Sequence, residues 1–111
     1  MDVSAGECFD QPDGVVPCAT PHDGEVVLVG TYPGGAADPY PGEARFETWV
    51  MAQCIPAFAR YVGTPYEESP LALSWYDPSP ETWAVGDRQI ICLVGNPDGS
   101  HMTGSVQGSA S

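Results

Sequence analysis

Four cysteines without a C-x-x-C pair are the feature that most constrains the fold of this 111-residue chain. They are Cys8, Cys18, Cys54 and Cys92. Zinc sites and thioredoxin-like redox sites usually hold two cysteines close together in sequence. An even number of widely spaced cysteines in a small domain instead predicts two structural disulfides, with four free buried cysteines as the alternative. Since disulfides persist in oxidising compartments, we expect the chain to lie outside the reducing cytosol.

Length and charge limit the class of protein. A chain of 111 residues is predicted to be one domain over residues 1–111, with a core at about 6–108 and a flexible tail at 109–111. Fifteen acidic residues against three arginines give a net charge of −12. Because such a surface repels phosphate groups, we expect no nucleic acid partner.

Nothing in the sequence predicts a membrane span. The chain has no apolar run of about 18 residues, the shortest that reads as a spanning helix. Residues 1–4 lack the basic and apolar character of a secretion signal. We therefore expect that this chain does not itself cross a membrane, and that any signal or anchor lies elsewhere in a longer protein.

Residues 43–62 are predicted to form the one long helix. Apolar side chains recur there every three or four residues, which is the period of an amphipathic helix. The residues of this stripe are Phe46, Trp49, Val50, Gln53, Cys54, Ala57, Phe58, Tyr61 and Val62. Gly63 is suited to end the helix, because glycine readily takes the left-handed conformation of a C-cap. Pro56 lacks an amide hydrogen and is expected to kink or split the helix.

Apolar and β-branched segments predict an antiparallel sheet of about four strands. The segments are a hairpin over 6–18 with its turn at 11–14, strands at 25–32, 71–76 and 88–94, and a short edge strand at 105–107. The predicted fold class is α+β. We expect a small antiparallel sheet with one Pro-kinked helix packed on one face, fixed by two disulfides.

These elements favour one of the three possible cysteine pairings. Cys54 lies on the apolar stripe of the helix, and Cys92 lies on an apolar face of its strand. A helix packed on a sheet brings these two faces together, so we expect a Cys54–Cys92 bridge between the layers. By difference, Cys8 pairs with Cys18 across the hairpin.

No constellation of catalytic residues stands out. His22, Asp23, Gly24 and Glu25 form the only cluster with metal-ligand residue types, and it offers too few convergent ligands for a metal site. There is no G-x-S-x-G nucleophile elbow and no phosphate-binding glycine loop before a helix. We therefore expect no enzyme, no metal and no other cofactor. His101 is expected to be an exposed residue in a turn.

Loop aromatics are the better indication of a binding surface, because Tyr and Trp often anchor partners. The candidate binding surface consists of Tyr40, Trp83, His22 and Arg88. Two alternatives stay open. Trp83 also suits a core role at the end of the sheet, and Arg88 also suits an ion pair with a nearby carboxylate.

Several short motifs stand in order along residues 6–108. They are 6–9 (GECF), 16–26 (VPCATPHDGEV), 40–42 (YPG), Cys54 followed by 61–63 (YVG), and 83–88 (WAVGDR) leading to Cys92. Together with the four cysteines, these motifs resemble the actinobacterial septum formation domain family. The resemblance implies an extracytoplasmic domain, commonly tethered by a transmembrane segment and associated by name with the cell envelope and division.

Taken together, these features predict a non-catalytic extracytoplasmic domain of an actinobacterial membrane-associated protein, secreted or on the outer face of the cytoplasmic membrane. Its expected partner is an envelope protein or a cell-wall component. Two other functions remain open: a small secreted enzyme that uses His22 with a neighbouring carboxylate, and a purely structural spacer. The enzyme hypothesis predicts a pocket that contains His22 beside an acidic residue.

Overall fold

A computed structural model describes residues 3–10, 14–35 and 37–109. The strands are β1 (Cys8–Asp10), β2 (Gly14–Val16), β3 (Gly24–Thr31), β4 (Ala72–Tyr76) and β5 (Gln89–Gly95). The helices are α1 (Glu43–Val62) and α2 (Pro80–Ala84), with a 3-10 turn at Tyr66–Glu68. The predicted turn residues 11–13 and the tail residues 110–111 lie outside the described residues.

The five strands form one antiparallel sheet in the order β2-β1-β3-β5-β4. The α+β class is confirmed, but the expected count of about four strands is one too low, because both arms of the N-terminal hairpin join the sheet. The expected edge strand at 105–107 does not form. The C-terminal segment instead pairs with the sheet region through a single antiparallel bridge between His22 and Met102.

Both faces of the central strands are covered. The face under α1 carries the larger core, whose buried members are Val27, Phe46, Val50, Cys54, Phe58, Val62, Trp83, Ile90, Cys92 and Val94. The opposite face carries a smaller core of Val3, Phe9, Val26, Ile91 and Leu93. The near-continuous apolar runs of β3 and β5 follow from this arrangement, because successive residues of a strand face opposite sides of the sheet.

Helix α1 begins and ends at the predicted residues. Gly63 has φ 95°, and its N–H donates to the carbonyl of Ala59 at 3.0 Å, as expected of a left-handed C-cap. The helix continues through Pro56 and is not split there, since Pro56 is exposed and the apolar stripe on either side remains packed. Gln53 was predicted to lie on the apolar stripe, but it is exposed. Cys54, the next residue, faces the sheet, so the Gln53 side chain points toward solvent.

The structure joins Cys8 to Cys18 and Cys54 to Cys92, the pairing that the helix-on-sheet arrangement predicts. Cys54 and Cys92 are fully buried, and their bridge links α1 to β5 through the larger core. The Cys8–Cys18 bridge closes the N-terminal hairpin against the loop that precedes β3. The expectation of two disulfides is therefore confirmed.

Candidate functional site

The Gly- and Pro-rich loop between β3 and α1 folds back onto Trp83 of α2. The indole Nε1–H of Trp83 donates to the carbonyl of Asp38 at 2.7 Å. Arg88 donates to the carbonyl of Gly35 from Nη2 at 2.8 Å. Helix α2 is itself set by a capping box between Ser79 and Thr82 at its first turn, so the position of Trp83 is well defined.

Four aromatic rings pack around this contact in edge-to-face or tilted geometry. Tyr40 lies 6.3 Å from Trp83 and 5.6 Å from Phe46 between ring centroids, and Tyr32 lies 6.0 Å from Trp83. Trp83 is only 5% exposed. Its burial favours the core role among the two alternatives for this residue, and leaves Tyr32 and Tyr40 as the half-buried rings at the surface.

A pocket of about 460 Å³ opens at this aromatic cluster. Its lining residues are Tyr32, Pro33, Asp38, Pro39, Tyr40, Pro41, Arg45 and Trp83. We refer to it as the aromatic pocket. Rigid rings and prolines lose little conformational entropy when a ligand binds, so such a lining suits recognition.

Acidic residues surround Tyr40 at the rim of the aromatic pocket. Burial raises the pKa of Tyr40, and nearby Glu43, Asp77 and Glu81 raise it further. Its hydroxyl donates to the carbonyl of Pro78 at 3.1 Å. The interaction with Asp77, and to a smaller extent burial, raises the pKa of Glu43.

Arg45 is the cation in the lining of the aromatic pocket. It is exposed in the first turn of α1, where a positive charge opposes the helix macrodipole. Among the described residues it has no ion-pair partner. An unpaired arginine beside two tyrosines is therefore available to a ligand.

Arg88 has a structural role in this cluster. Its guanidinium carbon lies 3.4 Å from the centroid of the Trp83 ring, a cation–π contact. Its hydrogen bonds go to the backbone carbonyls of Trp83, Asp87 and Gly35. The expected pairing with a carboxylate is therefore replaced by stacking and carbonyl binding, which fix the loop against α2.

Replacing Arg88 with alanine is expected to lower the free energy of unfolding by about 1–3 kcal/mol, because the cation–π contact is lost and carbonyl groups lose their donor. Denaturant unfolding followed by tryptophan fluorescence measures the change. Arg60→Ala, at the exposed end of α1, is the matched control and should cost less than about 1 kcal/mol. Equal losses in the two variants would contradict the assignment.

His22 lies apart from the other three candidate residues. It is fully buried, and its ring contacts the carbonyl of Thr20 through Nδ1 at 2.7 Å. Its Nε2 has no hydrogen-bond partner within the described part of the chain. The structure thus brings Tyr40 and Trp83 together in the lining of the aromatic pocket, stacks Arg88 on Trp83, and leaves His22 at the bridge to the C-terminal segment.

Glu25 is a buried polar residue that the sequence pattern did not single out on its own. Its carboxyl oxygens accept from the hydroxyl of Tyr61, from Ser105 Oγ at 2.6 Å and from the Val106 N–H at 3.0 Å. Burial, and then the bond to Glu25, raises the pKa of Tyr61 to about 12, so this phenol stays a donor. In the sequence, Glu25 stands out only as an acidic residue at the start of a strongly apolar strand.

Comparison with known proteins agrees with the motifs and with the disulfide-fixed α+β fold. The family model described as Septum formation matches residues 5–111. The chain belongs to the septum formation family. It is 32% identical to two proteins of Mycobacterium tuberculosis, uncharacterized membrane proteins MT3943 and Rv3835, over 86% of this chain and 24% of each relative. The chain thus spans about a quarter of the length of these relatives. No solved structure matches it.

The relatives are membrane proteins by name. Within residues 3–10, 14–35 and 37–109, no helix has both the length and the apolar character needed to cross a membrane.

Proposed function

We propose that this chain is a non-catalytic extracytoplasmic domain of a membrane-anchored envelope protein, and that it binds an envelope protein or a cell-wall component at the aromatic pocket. The observation that carries the proposal is the pocket itself, where half-buried tyrosines and the unpaired Arg45 line one opening. Membership of the septum formation family and the membrane-protein relatives support the location. The two disulfides support an oxidising compartment.

The chemistry of the aromatic pocket suits a partner that combines apolar and polar groups. Tyr32 and Tyr40 offer ring surface, while Arg45 and Asp38 offer one charge of each sign. Aromatic and arginine side chains are the residue types that dominate binding energy at interfaces. The prolines on either side of Tyr40 restrict the loop, so the binding surface is formed before the partner arrives.

The test uses two separate fractions of an actinobacterial envelope, purified insoluble cell wall and detergent-solubilised membrane proteins. Arg45→Ala removes the charge from the pocket, and Tyr40→Phe removes the hydroxyl that holds the Tyr40 ring to the carbonyl of Pro78. Each is expected to weaken binding to one fraction by about tenfold, equivalent to 1.4 kcal/mol. Sedimentation with the insoluble cell wall measures binding to the first fraction. Crosslinking measures binding to the solubilised membrane proteins.

Met51→Ala is the matched control, because Met51 is exposed on α1 and lies outside the lining of the aromatic pocket. Its binding should equal that of the unchanged chain. Identical binding by all three variants would contradict the assignment of the pocket. Failure to bind either fraction would contradict the binding function and favour the structural spacer.

No observation favours the enzyme alternative. It predicts a pocket that contains His22 with an acidic neighbour, but His22 is fully buried and is not among the lining residues of the aromatic pocket. General acid–base chemistry requires a side chain that can reach the substrate.

A further inference from the structure

Three side chains with metal-ligand chemistry meet at one corner of the sheet, although they are far apart in sequence. Nε2 of His101 lies 3.3 Å from Oδ1 of Asp10 and 3.3 Å from Oδ1 of Asp23. One ligand atom of each residue lies within 4.8 Å of the other two. This group is separate from the aromatic pocket and from the proposed function.

The pairing of β1 with β3 brings the two aspartates together. In this antiparallel ladder Phe9 pairs with Gly24, and the N–H of Asp23 donates to the carbonyl of Phe9 at 3.0 Å. Extending the register by one residue sets Asp10 opposite Asp23. Residues directly opposite each other in an antiparallel pair project to the same face, so the two carboxylates converge.

A second antiparallel pairing brings His101 of the C-terminal segment to the two aspartates. His22 and Met102 exchange backbone hydrogen bonds of 2.9 and 2.8 Å in an antiparallel bridge. One residue further along, Asp23 lies opposite His101. The three side chains therefore form a row across adjacent backbone segments, which is a consequence of the register.

The spacing matches a tetrahedral metal site. Zinc binds histidine nitrogen and carboxylate oxygen at about 2.0–2.2 Å, and two ligand atoms at tetrahedral corners then lie about 3.3 Å apart. Both distances from His101 have this value. The two carboxylate oxygens lie within 4.8 Å of each other, so small side-chain rotations complete the geometry around an ion.

One carboxylate oxygen of this group is placed where a nearby positive charge would be stabilising. Oδ1 of Asp10 is buried and accepts no hydrogen bond from the described residues, although Nε2 of His101 lies 3.3 Å from it. A buried carboxylate oxygen left without a donor is unfavourable by about 1–3 kcal/mol or more. A protonated His101 or a bound cation would each compensate it, and the experiment below separates these two explanations.

We propose that Asp10, Asp23 and His101 bind a divalent transition-metal ion of the zinc type, with the fourth coordination position open. An imidazole with two carboxylates suits such an ion, whereas calcium requires six to eight oxygen ligands and magnesium near-octahedral oxygen ligation. The ion joins the end of β1, the residue before β3 and the C-terminal segment. Asp23 also lines a groove of about 260 Å³, so this groove begins beside the proposed site.

The test is isothermal titration of the 111-residue chain with zinc chloride, and in parallel with calcium and magnesium chloride. We expect one zinc ion per chain and no response to the other two. Cobalt(II) should give the visible absorption of a four-coordinate ion. Removing a ligand in His101→Ala or Asp10→Asn should weaken zinc binding at least about tenfold, since loss of even an outer-shell partner weakens it 10–100-fold.

Glu47→Gln is the matched control, because Glu47 is an exposed acid on α1 remote in sequence from the three ligands. It should bind zinc like the unchanged chain. Thermal unfolding without metal establishes that each variant folds, and zinc should raise the unfolding temperature of the unchanged chain but not of His101→Ala. Absence of zinc binding, or equal affinity in His101→Ala, would overturn the proposal in favour of a simple ion pair.

Discussion

Replacing Cys54 and Cys92 together with alanine is expected to lower the free energy of unfolding by about 4 kcal/mol. The bridge closes a loop of 38 positions, and loop-closure entropy in the unfolded chain gives this magnitude. The bridge also lies fully buried between α1 and β5, so its removal loosens the contact of the two layers. Chemical denaturation of the oxidised protein and the double variant measures the change. A loss of this size is a large part of the 5–15 kcal/mol that stabilises a typical domain.

The Cys8/Cys18 double alanine variant is the matched comparison. Its loop is 10 positions long, so the same model gives about 3 kcal/mol. It closes a hairpin and leaves the contact between α1 and the sheet in place. A larger loss in this variant than in the Cys54/Cys92 variant would show that the disulfide between α1 and β5 is not the one that contributes more to stability.

Glu25→Ala should lower the free energy of unfolding by about 2–4 kcal/mol, because three donors lose their acceptor in a buried site. The donors are the hydroxyls of Tyr61 and Ser105 and the amide of Val106. Denaturant unfolding measures the total effect. Amide hydrogen exchange gives a local readout, since the Val106 amide should lose most of its protection when its acceptor is removed.

Two further variants separate the carboxyl network from a general effect of charge. Glu25→Gln keeps one acceptor oxygen and should fall between the unchanged chain and Glu25→Ala. Glu47→Ala removes an exposed acid from α1 and should change stability by less than about 0.5 kcal/mol. A Glu25 variant more stable than the unchanged chain would contradict this prediction. It would mean that the desolvation free energy of the buried carboxyl group exceeds the stabilisation from its hydrogen bonds.

Local periodicity predicted most of the fold. The apolar stripe and Gly63 define α1, and the apolar runs place β3 and β5 within one residue of their observed bounds. The count of strands was less predictable, because β1 and β2 have three residues each and join the sheet through the pairing of β2 with β1 and of β1 with β3. Short strands carry too few residues for a period to be distinct.

The sites were harder to predict because they depend on contacts between distant segments. Trp83 and Tyr40 were candidates from their loop positions, and the structure places them around one pocket. The contacts of Glu25 and His101 could not be read from neighbouring residues, since Ser105 lies 80 residues after Glu25 and Asp10 and Asp23 lie far before His101. A pattern search over neighbouring residues cannot detect a group assembled by strand register.

The separation between Glu25 and its donors has a consequence for biosynthesis. Ser105 and Val106 follow Glu25 by 80 and 81 residues. During translation, Glu25 leaves the ribosome long before either donor has been added. Its carboxyl group stays solvated by water over that interval, because dehydrating it without partners is unfavourable. The full set of native hydrogen bonds to the Glu25 carboxyl group is therefore complete only after residue 106 has been synthesised.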